Sequence, residues 1–141
     1  MTPVTVLMSV YNGQRFVEEA ITSVLRQDFE DFEFLIVDDA STDATPDVLR
    51  RYASQDARIH ILRNAENVGL TRSLNRGLDA AHGTYVARMD ADDISLPGRL
   101  RAQKAYLDAH PDCAVLGTAA ELIDEAGGLL KQRREAVSGG A

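Results

Sequence analysis

Three aspartates within four residues, Asp90, Asp92 and Asp93, are the side chains whose type and spacing point most directly to chemistry. They follow the stretch 85–89, which is apolar, aromatic or β-branched apart from one arginine and therefore predicts a strand. Carboxylates held this close repel one another unless a cation lies between them. Mg²⁺ typically takes one or two protein carboxylates and completes its coordination with phosphate oxygens and water. The cluster therefore predicts a divalent cation, Mg²⁺ or Mn²⁺, that holds a phosphorylated ligand.

A structural role is the alternative for these acids. Aspartate clusters also form turns, and Asp93 or Ser95, which precede Pro97, would serve as the N-cap of a following helix. If instead the strand continues through the acids, Asp90 and Asp92 point to the same side of the sheet. The motif alone leaves both alternatives open.

Apolar runs alternate with amphipathic stretches along the chain, which predicts a three-layer α/β/α fold with a mostly parallel sheet. The second helix is predicted to start with Thr45 as N-cap and Pro46 in the first turn. A hairpin is predicted at 121–134, at a sheet edge, and a frayed end at 138–141. The predicted strands are 4–10, 32–37, 59–62, 85–89 and 113–116, and the predicted helices are 16–25, 45–52, 70–81 and 100–107.

Polar clusters follow three of these strands, at 9–12, at Asp38 with Asp39, and at 90–93. The first and fourth strands are predicted to be neighbours at a topological switch point, and ligands bind at the carboxyl ends of strands there. We therefore expect the three clusters to converge. The sequence contains neither a Gly-x-Gly-x-x-Gly turn nor a Gly-x-x-x-x-Gly-Lys-Ser/Thr loop, so a metal is expected to bind the phosphates instead.

Composition limits the classes of partner. The chain has 141 residues, 45% of them hydrophobic, which suits one domain with its own core. A net charge of −7 argues against a general nucleic-acid or anionic-membrane binder. The single cysteine, Cys113, lies in an apolar setting that predicts a buried thiol. The N-terminus lacks a signal-peptide pattern and no apolar stretch is long enough to span a membrane, so the expected location is cytoplasmic.

Five segments, in this order and at this spacing, resemble the family-2 glycosyltransferases of the GT-A fold, in the bacterial subgroup that builds surface polysaccharides. Each segment alone is weak, but the ordered set is specific and covers nearly the whole chain. The segments are 6–13 (VLMSVYNG), 35–43 (LIVDDASTD), 67–78 (NVGLTRSLNRGL), 85–93 (YVARMDADD) and 97–100 (PGRL), the last followed by Gln103.

The resemblance implies a nucleotide-sugar donor, commonly a UDP-sugar, and transfer with inversion to a glycan or lipid-linked acceptor. The expected location is the cytoplasm, including a peripheral position at the inner face of the membrane. Ser9 and Tyr11 would line the nucleoside pocket, with Tyr11 near the uracil. Asp39 would accept a hydrogen bond from the base, while Asp38 would order the loop. For Tyr11 the alternative is a core aromatic residue at a strand end.

The same resemblance implies roles on the phosphate side. Asp92 would be the direct ligand of Mn²⁺ or Mg²⁺, and Asp90 would lie near the ribose or the metal. Asn75 and Arg88 match the pattern of donor-binding residues, and a structural role in capping or loop anchoring is equally open for both. Arg72 is expected to lie on a solvated helix face rather than to bind phosphate.

The chain departs from the family pattern at the catalytic base. Family members place this carboxylate and much of the acceptor site well beyond the Asp-x-Asp, whereas this chain ends at residue 141. Asp93, Glu121 and Asp124 are nearby acids, but none matches the family base, so the base is unknown. We therefore expect one GT-A domain over 1–141 that binds the donor and is truncated before the acceptor part.

Two other functions compete with transfer. A non-catalytic nucleotide-sugar-binding module would need no base. A Mg²⁺-binding receiver domain is a remote alternative, because it requires an acid pair after the first strand and a lysine after the fifth. A truncated sheet would also expose apolar surface near 113–123, which predicts self-association through that edge.

Overall fold

The computed structural model of the chain describes residues 1–133. Its contacts divide the chain into two compact units, Met1–Lys104 and a second that begins at Ala105. The expectation that 1–141 is a single domain stays a prediction. In chain order the elements are β1 (Val4–Val10), α1 (Val17–Leu25), β2 (Phe32–Asp38), α2 (Thr45–Gln55), β3 (Ile59–Arg63), α3 (Leu70–Ala80), β4 (Tyr85–Asp90), α4 (Arg99–Ala109), β5 (Ala120–Ile123) and β6 (Leu129–Arg133).

The first unit is built on a four-stranded parallel sheet in the order β3-β2-β1-β4. Val4 pairs with Phe32 of β2 on one side and with Tyr85 of β4 on the other. Each pair of successive strands is joined through a helix, as parallel pairing requires. The predicted α/β fold with a mostly parallel sheet is confirmed, and β1 and β4 are neighbours as predicted.

Apolar side chains form a core on each face of this sheet, because β1 and β2 carry them at both odd and even positions. On one face Val6 and Phe34 belong to a cluster with Ile21 of α1. On the opposite face Leu7 and Leu35 form a second cluster, against which α3 packs. All seven residues of β2 are buried, so it is the most enclosed strand of the sheet.

Two glycines let α3 and the segment after it approach β1 closely. A Cβ atom at Gly77 would lie 2.2 Å from Cδ1 of Leu7, so the helix backbone packs directly on the Leu7 side chain. A Cβ atom at Gly83 would lie 2.3 Å from the backbone nitrogen of Thr5. The Gly83 N–H donates to the Thr5 hydroxyl at 2.8 Å. This close approach fixes where β4 begins beside β1.

Two predicted caps are wrong. α2 begins at Thr45, so Thr45 is not its N-cap. Its N–H donates to the Asp43 carboxylate at 2.8 Å, and its hydroxyl accepts from the Gly13 N–H at 2.9 Å. α4 begins at Arg99, so neither Asp93 nor Ser95 is at the cap position. The Thr45 and Ser95 hydroxyls instead accept from the Gly13 N–H and from the Arg99 side chain.

The second unit differs most from the prediction. No strand forms at 113–116 in the described chain, and Val115 is 89% exposed. A short apolar run is ambiguous, and a strand requires a partner for its backbone groups. Cys113 is partly exposed rather than buried, and its Sγ lies 3.4 Å from the Val115 carbonyl oxygen.

The hairpin prediction is correct in type but not in placement. β5 and β6 pair antiparallel, with Glu121 opposite Gln132, and they form a two-stranded sheet of their own. The edge placement is therefore wrong. Residue 134 and the predicted frayed end at 138–141 lie outside the described residues. Within 1–133, no helix has the length and apolar character needed to cross a bilayer.

Candidate functional site

A cleft of about 450 Å³ lies at the carboxyl ends of β1 and β4. These two strands are neighbours at the point where the chain order of the sheet reverses, which is where α/β sheets bind ligands. Two of the three polar clusters predicted to converge meet here. The polar residues that line the cleft are Ser9, Tyr11, Asn12, Arg88, Asp90 and Asp92.

The acidic side of the cleft is a turn, not a continued strand. β4 ends at Asp90, and the Asp93 N–H donates to the Asp90 carbonyl at 3.2 Å. Of the two alternatives that the motif left open, the structure therefore shows the turn and not a strand that continues through Asp92. The turn instead brings one carboxylate oxygen of each of Asp90, Asp92 and Asp93 within 4.8 Å of the others. Oxygens on opposite sides of Mg²⁺ are about 4.1 Å apart, so this donor set fits a divalent cation after a small adjustment.

The electrostatics of the turn favour added positive charge. Burial raises the pKa of the Asp93 carboxyl, and the neighbouring charges of Asp90 and Asp92 raise it further. Arg88 offsets part of this repulsion, because its Nη2 lies 3.2 Å from Oδ1 of Asp90. Burial lowers the pKa of the Arg99 guanidinium, while the charge of Asp93 acts in the opposite direction. The turn therefore concentrates negative charge that a cation would neutralise.

The opposite side of the cleft is held by Asn12, which adopts a positive φ of 49°. Its Oδ1 accepts from the backbone N–H of Thr42 at 2.8 Å and of Asp43 at 3.3 Å. Its own N–H donates to the Ser41 hydroxyl at 3.0 Å. The turn after β1 is thus fastened to the loop after β2, and Tyr11 is left 51% exposed. The alternative that Tyr11 is a core aromatic residue is wrong.

Asp39 does not line the cleft but lies beside it, 2% exposed. Its Oδ1 accepts from the Asn64 amide and the Val68 N–H, both at 2.8 Å, and its Oδ2 accepts from the Gly69 N–H at 2.9 Å. Burial alone would raise the pKa of this carboxyl, but the hydrogen bonds outweigh burial and lower it. Asp39 therefore orders the loop that leads into α3. Its expected contact with the base stays a prediction.

Asp38 also orders a loop. Its Oδ1 accepts from the Ser41 N–H at 3.0 Å, and its Oδ2 accepts from Arg63 at 2.6 Å. These contacts agree with the loop-ordering role expected for Asp38. Asn75 and Arg72 are both exposed on α3 and neither lines the cleft.

Residues 5–136 match the sequence model of the family described as Glycosyl transferase family 2. The chain belongs to this family. The predicted resemblance is confirmed, and the receiver-domain alternative is wrong.

Family-2 relatives are found in both bacteria and archaea. EpsE of Bacillus subtilis, named as a glycosyltransferase, is 42% identical over 125 residues, which cover 88% of this chain and 45% of EpsE. MJ1057 of Methanocaldococcus jannaschii is 36% identical over 131 residues, 92% of this chain and 45% of that protein. TuaG of Bacillus subtilis, named for teichuronic acid biosynthesis, is 36% identical over 124 residues, 88% of this chain and 49% of TuaG. The chain thus spans less than half the length of these relatives.

Solved glycosyltransferase structures share the fold. Residues 1–349 of S. aureus TarS in complex with UDP-GlcNAc superpose with a TM-score of 0.73 and 26% identity, over 86% of this chain and 40% of that one. A mannosyltransferase from Pyrobaculum calidifontis, in complex with GDP-Man and Mn²⁺, gives a TM-score of 0.65 and 33% identity. That match covers 73% of this chain and 31% of the mannosyltransferase. The fold of the family-2 chain is therefore that of the GT-A glycosyltransferases.

The acids named as alternatives for the family-2 base have other contacts. Asp124 forms the hairpin turn, where its Oδ1 accepts from the backbone N–H of Ala126 at 3.0 Å and of Gly128 at 2.7 Å. Glu121 accepts from the Gln132 amide at 3.2 Å. Asp93 belongs to the acidic turn itself. Sequence reasoning placed Asn12 in a converging polar cluster without assigning it a role, and it missed Arg99, although both lie in segments that match the family.

Proposed function

We propose that this chain binds a nucleotide-diphosphate sugar, a UDP-sugar, in the cleft together with Mn²⁺ or Mg²⁺. The observation that carries the proposal is that the carboxylates of Asp90, Asp92 and Asp93 come together in one turn that borders a cleft of nucleotide size. UDP is proposed as the nucleotide because the TarS complexes with UDP and UDP-GlcNAc match 86% of this chain, at 26% identity, whereas the GDP-Man complex matches 73% of it at 33% identity.

Asp92 is the proposed direct ligand of the cation, and Asp90 a second ligand or a partner of the ribose. When bound, the cation would neutralise charge that develops on the diphosphate leaving group. Arg88 borders the same cleft and is half-exposed, so its guanidinium would attract the phosphates while it keeps Asp90 in place. The role of Asn75 in donor binding remains a prediction, since its side chain is exposed on α3 away from the cleft lining.

Ser9 and Tyr11 are the proposed nucleoside-binding residues. Tyr11 presents an exposed ring at the cleft, and stacking of a base on an aromatic side chain is worth about 1–3 kcal/mol. The backbone beneath it is already fixed by Asn12, so little order is lost when the base binds. Asp39 would contact the base only if the loop 64–69 shifted, because three donors already occupy its carboxylate.

Transfer with inversion to a glycan or lipid-linked acceptor is proposed for the whole protein, at a cytoplasmic position that includes the inner face of the membrane. For this chain alone we propose donor binding without transfer, the role of a nucleotide-sugar-binding module. Among the described residues that line the cleft, the acids are Asp90 and Asp92, and both are assigned to the cation. Loss of general-base assistance typically costs 10²- to 10⁴-fold in rate.

Self-association is proposed through the second unit. Val115, Leu122 and Ile123 expose large apolar side chains there. Sedimentation at increasing concentration tests this: a chain that stays monomeric at every concentration contradicts it.

Calorimetry of the chain with UDP, GDP and CDP, each with Mn²⁺ or with EDTA, tests the binding proposal. We expect UDP with Mn²⁺ to bind most tightly. Equal UDP affinity with EDTA would contradict the cation site, and tighter GDP binding would contradict the choice of donor. UDP release is then measured with a panel of UDP-sugars and acceptor glycans. Acceptor-dependent turnover near ~1 s⁻¹, within the usual enzyme range, would show that the chain contains its own base.

A further inference from the structure

Arg99, the first residue of α4, donates from all three of its side-chain nitrogens. Nε donates to Oε1 of Gln103 at 3.0 Å, Nη1 donates to the Ser95 hydroxyl at 3.0 Å, and Nη2 donates to the Arg88 carbonyl at 2.9 Å. A guanidinium presents its donors in a fixed planar fork. Three acceptors bound to one guanidinium are therefore held at fixed positions relative to one another. Arg99 therefore joins β4, the loop after it and α4.

Two of these acceptors lie at the two ends of the acidic turn. Arg88 is two residues before Asp90, and Ser95 is two residues after Asp93. The Arg99 fork thus closes the base of the segment 88–95 that carries all three carboxylates. Ser95 is itself buried, and its N–H donates to the Ser23 hydroxyl of α1 at 3.0 Å.

A neutral side chain fixes the segment just beyond. Gln27 is buried, its Nε2 donates to the Leu96 carbonyl at 2.8 Å, and its Oε1 accepts from the Leu100 N–H at 3.0 Å. Gln27 anchors the loop before α4 and the first turn of that helix to the end of α1. Arg99 differs from it in two respects: it reaches back to β4, and it carries a positive charge whose field acts on Asp93.

Three carboxylates with oxygens within 4.8 Å of one another repel, and a turn with free ends would spread to separate them. A binding site works best when its ligands are held in place by a supporting shell of hydrogen bonds. Resting on the function proposed above, we propose that Arg99 is a positioning residue, whose fork keeps Asp90 and Asp92 in the arrangement that binds the cation and the donor diphosphate.

The test measures the Mn²⁺ affinity of four proteins, each at saturating UDP. The electron paramagnetic resonance signal of free Mn²⁺ gives the affinity. The variants are Arg99→Lys, which keeps the charge without the fork, Arg99→Met, which removes both, and Arg101→Met as control. Arg101 is on the same helix, but it pairs with Asp28 at 3.2 Å, at the end of α1. We expect both Arg99 variants to bind Mn²⁺ about 10- to 100-fold more weakly, and the Arg101 variant to match the parent chain.

Each outcome separates the two proposals. If the parent chain binds no Mn²⁺ with UDP, the proposed function is wrong. If the parent chain binds and Arg99→Lys binds equally well, the fork is not needed and the inference is wrong. Arg99→Lys decides the matter even if Arg99→Met fails to fold. Hydrogen exchange of the metal-free proteins adds a readout independent of binding: amides of 88–95 should exchange faster in Arg99→Lys than in the Arg101 variant.

Discussion

Replacing Asp92 with asparagine should stabilise the metal-free chain and abolish its response to the cation. Asp92 has two acidic neighbours, Asp90 and Asp93, and the substitution removes its repulsion with both while it keeps the shape of the side chain. The same substitution removes the proposed direct ligand of Mn²⁺. The two effects have opposite signs, so one measurement with and without the cation separates them.

The structure sets the size of each effect. Two unit charges 4.8 Å apart, the limit for each pair of oxygens in the turn, repel by about 0.9 kcal/mol in water. Salt screens part of this, and the unfolded chain keeps the acids close in sequence, so we expect a gain of about 1 kcal/mol or less in the free energy of unfolding. For the parent chain, UDP with Mn²⁺ at a hundredfold excess over its dissociation constant should add about 2.7 kcal/mol, or about 8 °C in melting temperature.

Thermal unfolding with EDTA, with UDP and EDTA, and with UDP and Mn²⁺ measures both effects. Asp31→Asn is the matched control. Asp31 is an exposed aspartate directly before β2, at the amino-terminal ends of the strands, whereas the cleft lies at their carboxyl ends. The control should keep the full shift with UDP and Mn²⁺. An Asp92→Asn chain that keeps that shift would refute the assignment of Asp92, and an equal shift of the parent chain with EDTA would refute the cation site altogether.

Three further predictions concern residues outside the acidic turn. Burial alone would raise the pKa of the Glu33 carboxyl, but hydrogen bonds from Thr5 and His82 outweigh burial and lower it below the ordinary 4.5. Ionised Glu33 therefore stabilises the fold, and urea unfolding from about pH 6 to pH 3 should show the free energy of unfolding fall as the pH drops below 4.5, with a smaller fall in Glu33→Gln. Gly83→Ala should cost about 3 kcal/mol in urea unfolding, because the new Cβ meets backbone, whereas Gly98→Ala, with nothing within 4 Å, should change it by less than about 0.5 kcal/mol. Asp39→Ala should weaken uridine binding in calorimetry with EDTA, because the loop into α3 loses its acceptor; unchanged affinity would contradict this.

The strands of the first unit could be predicted because their signal is local and repeated. The segments 4–10 and 32–37 are apolar at nearly every position, which in a chain of this length indicates burial on both faces. Given parallel pairing, the alternation of strands and helices then places the ends of β1 and β4 side by side. The position of the cleft followed from topology, and the residues at its rim followed from the motifs.

The geometry of the site could not be predicted in the same way. The residue types of Asp90 and Asp92 do not decide between a strand and a turn, and the segment that holds them has contacts from Arg99, which lies beyond the loop. The contact of Asp39 with the nucleobase stays a prediction, whereas its observed hydrogen-bond partners come from a loop about 25 residues later in the chain, which local sequence does not indicate. The run at 113–116 has the composition of a strand and still forms none in the described structure, because composition does not supply a pairing partner.

The two sides of the cleft are held by different forces, which determines where binding should change the structure. On the proposed nucleoside side, the side-chain oxygens of Asn12 and of Asp39 beside the cleft already accept from backbone or amide donors, so that side is ordered without a ligand. On the proposed metal side, three carboxylates lie close together, and Arg88 and Arg99 are cations in contact with their segment. These two arginines offset only part of the repulsion, and a bound cation would offset more of it. The acidic turn is therefore where the cation should tighten the structure, while the turn at Asn12 should bind the nucleoside without rearrangement.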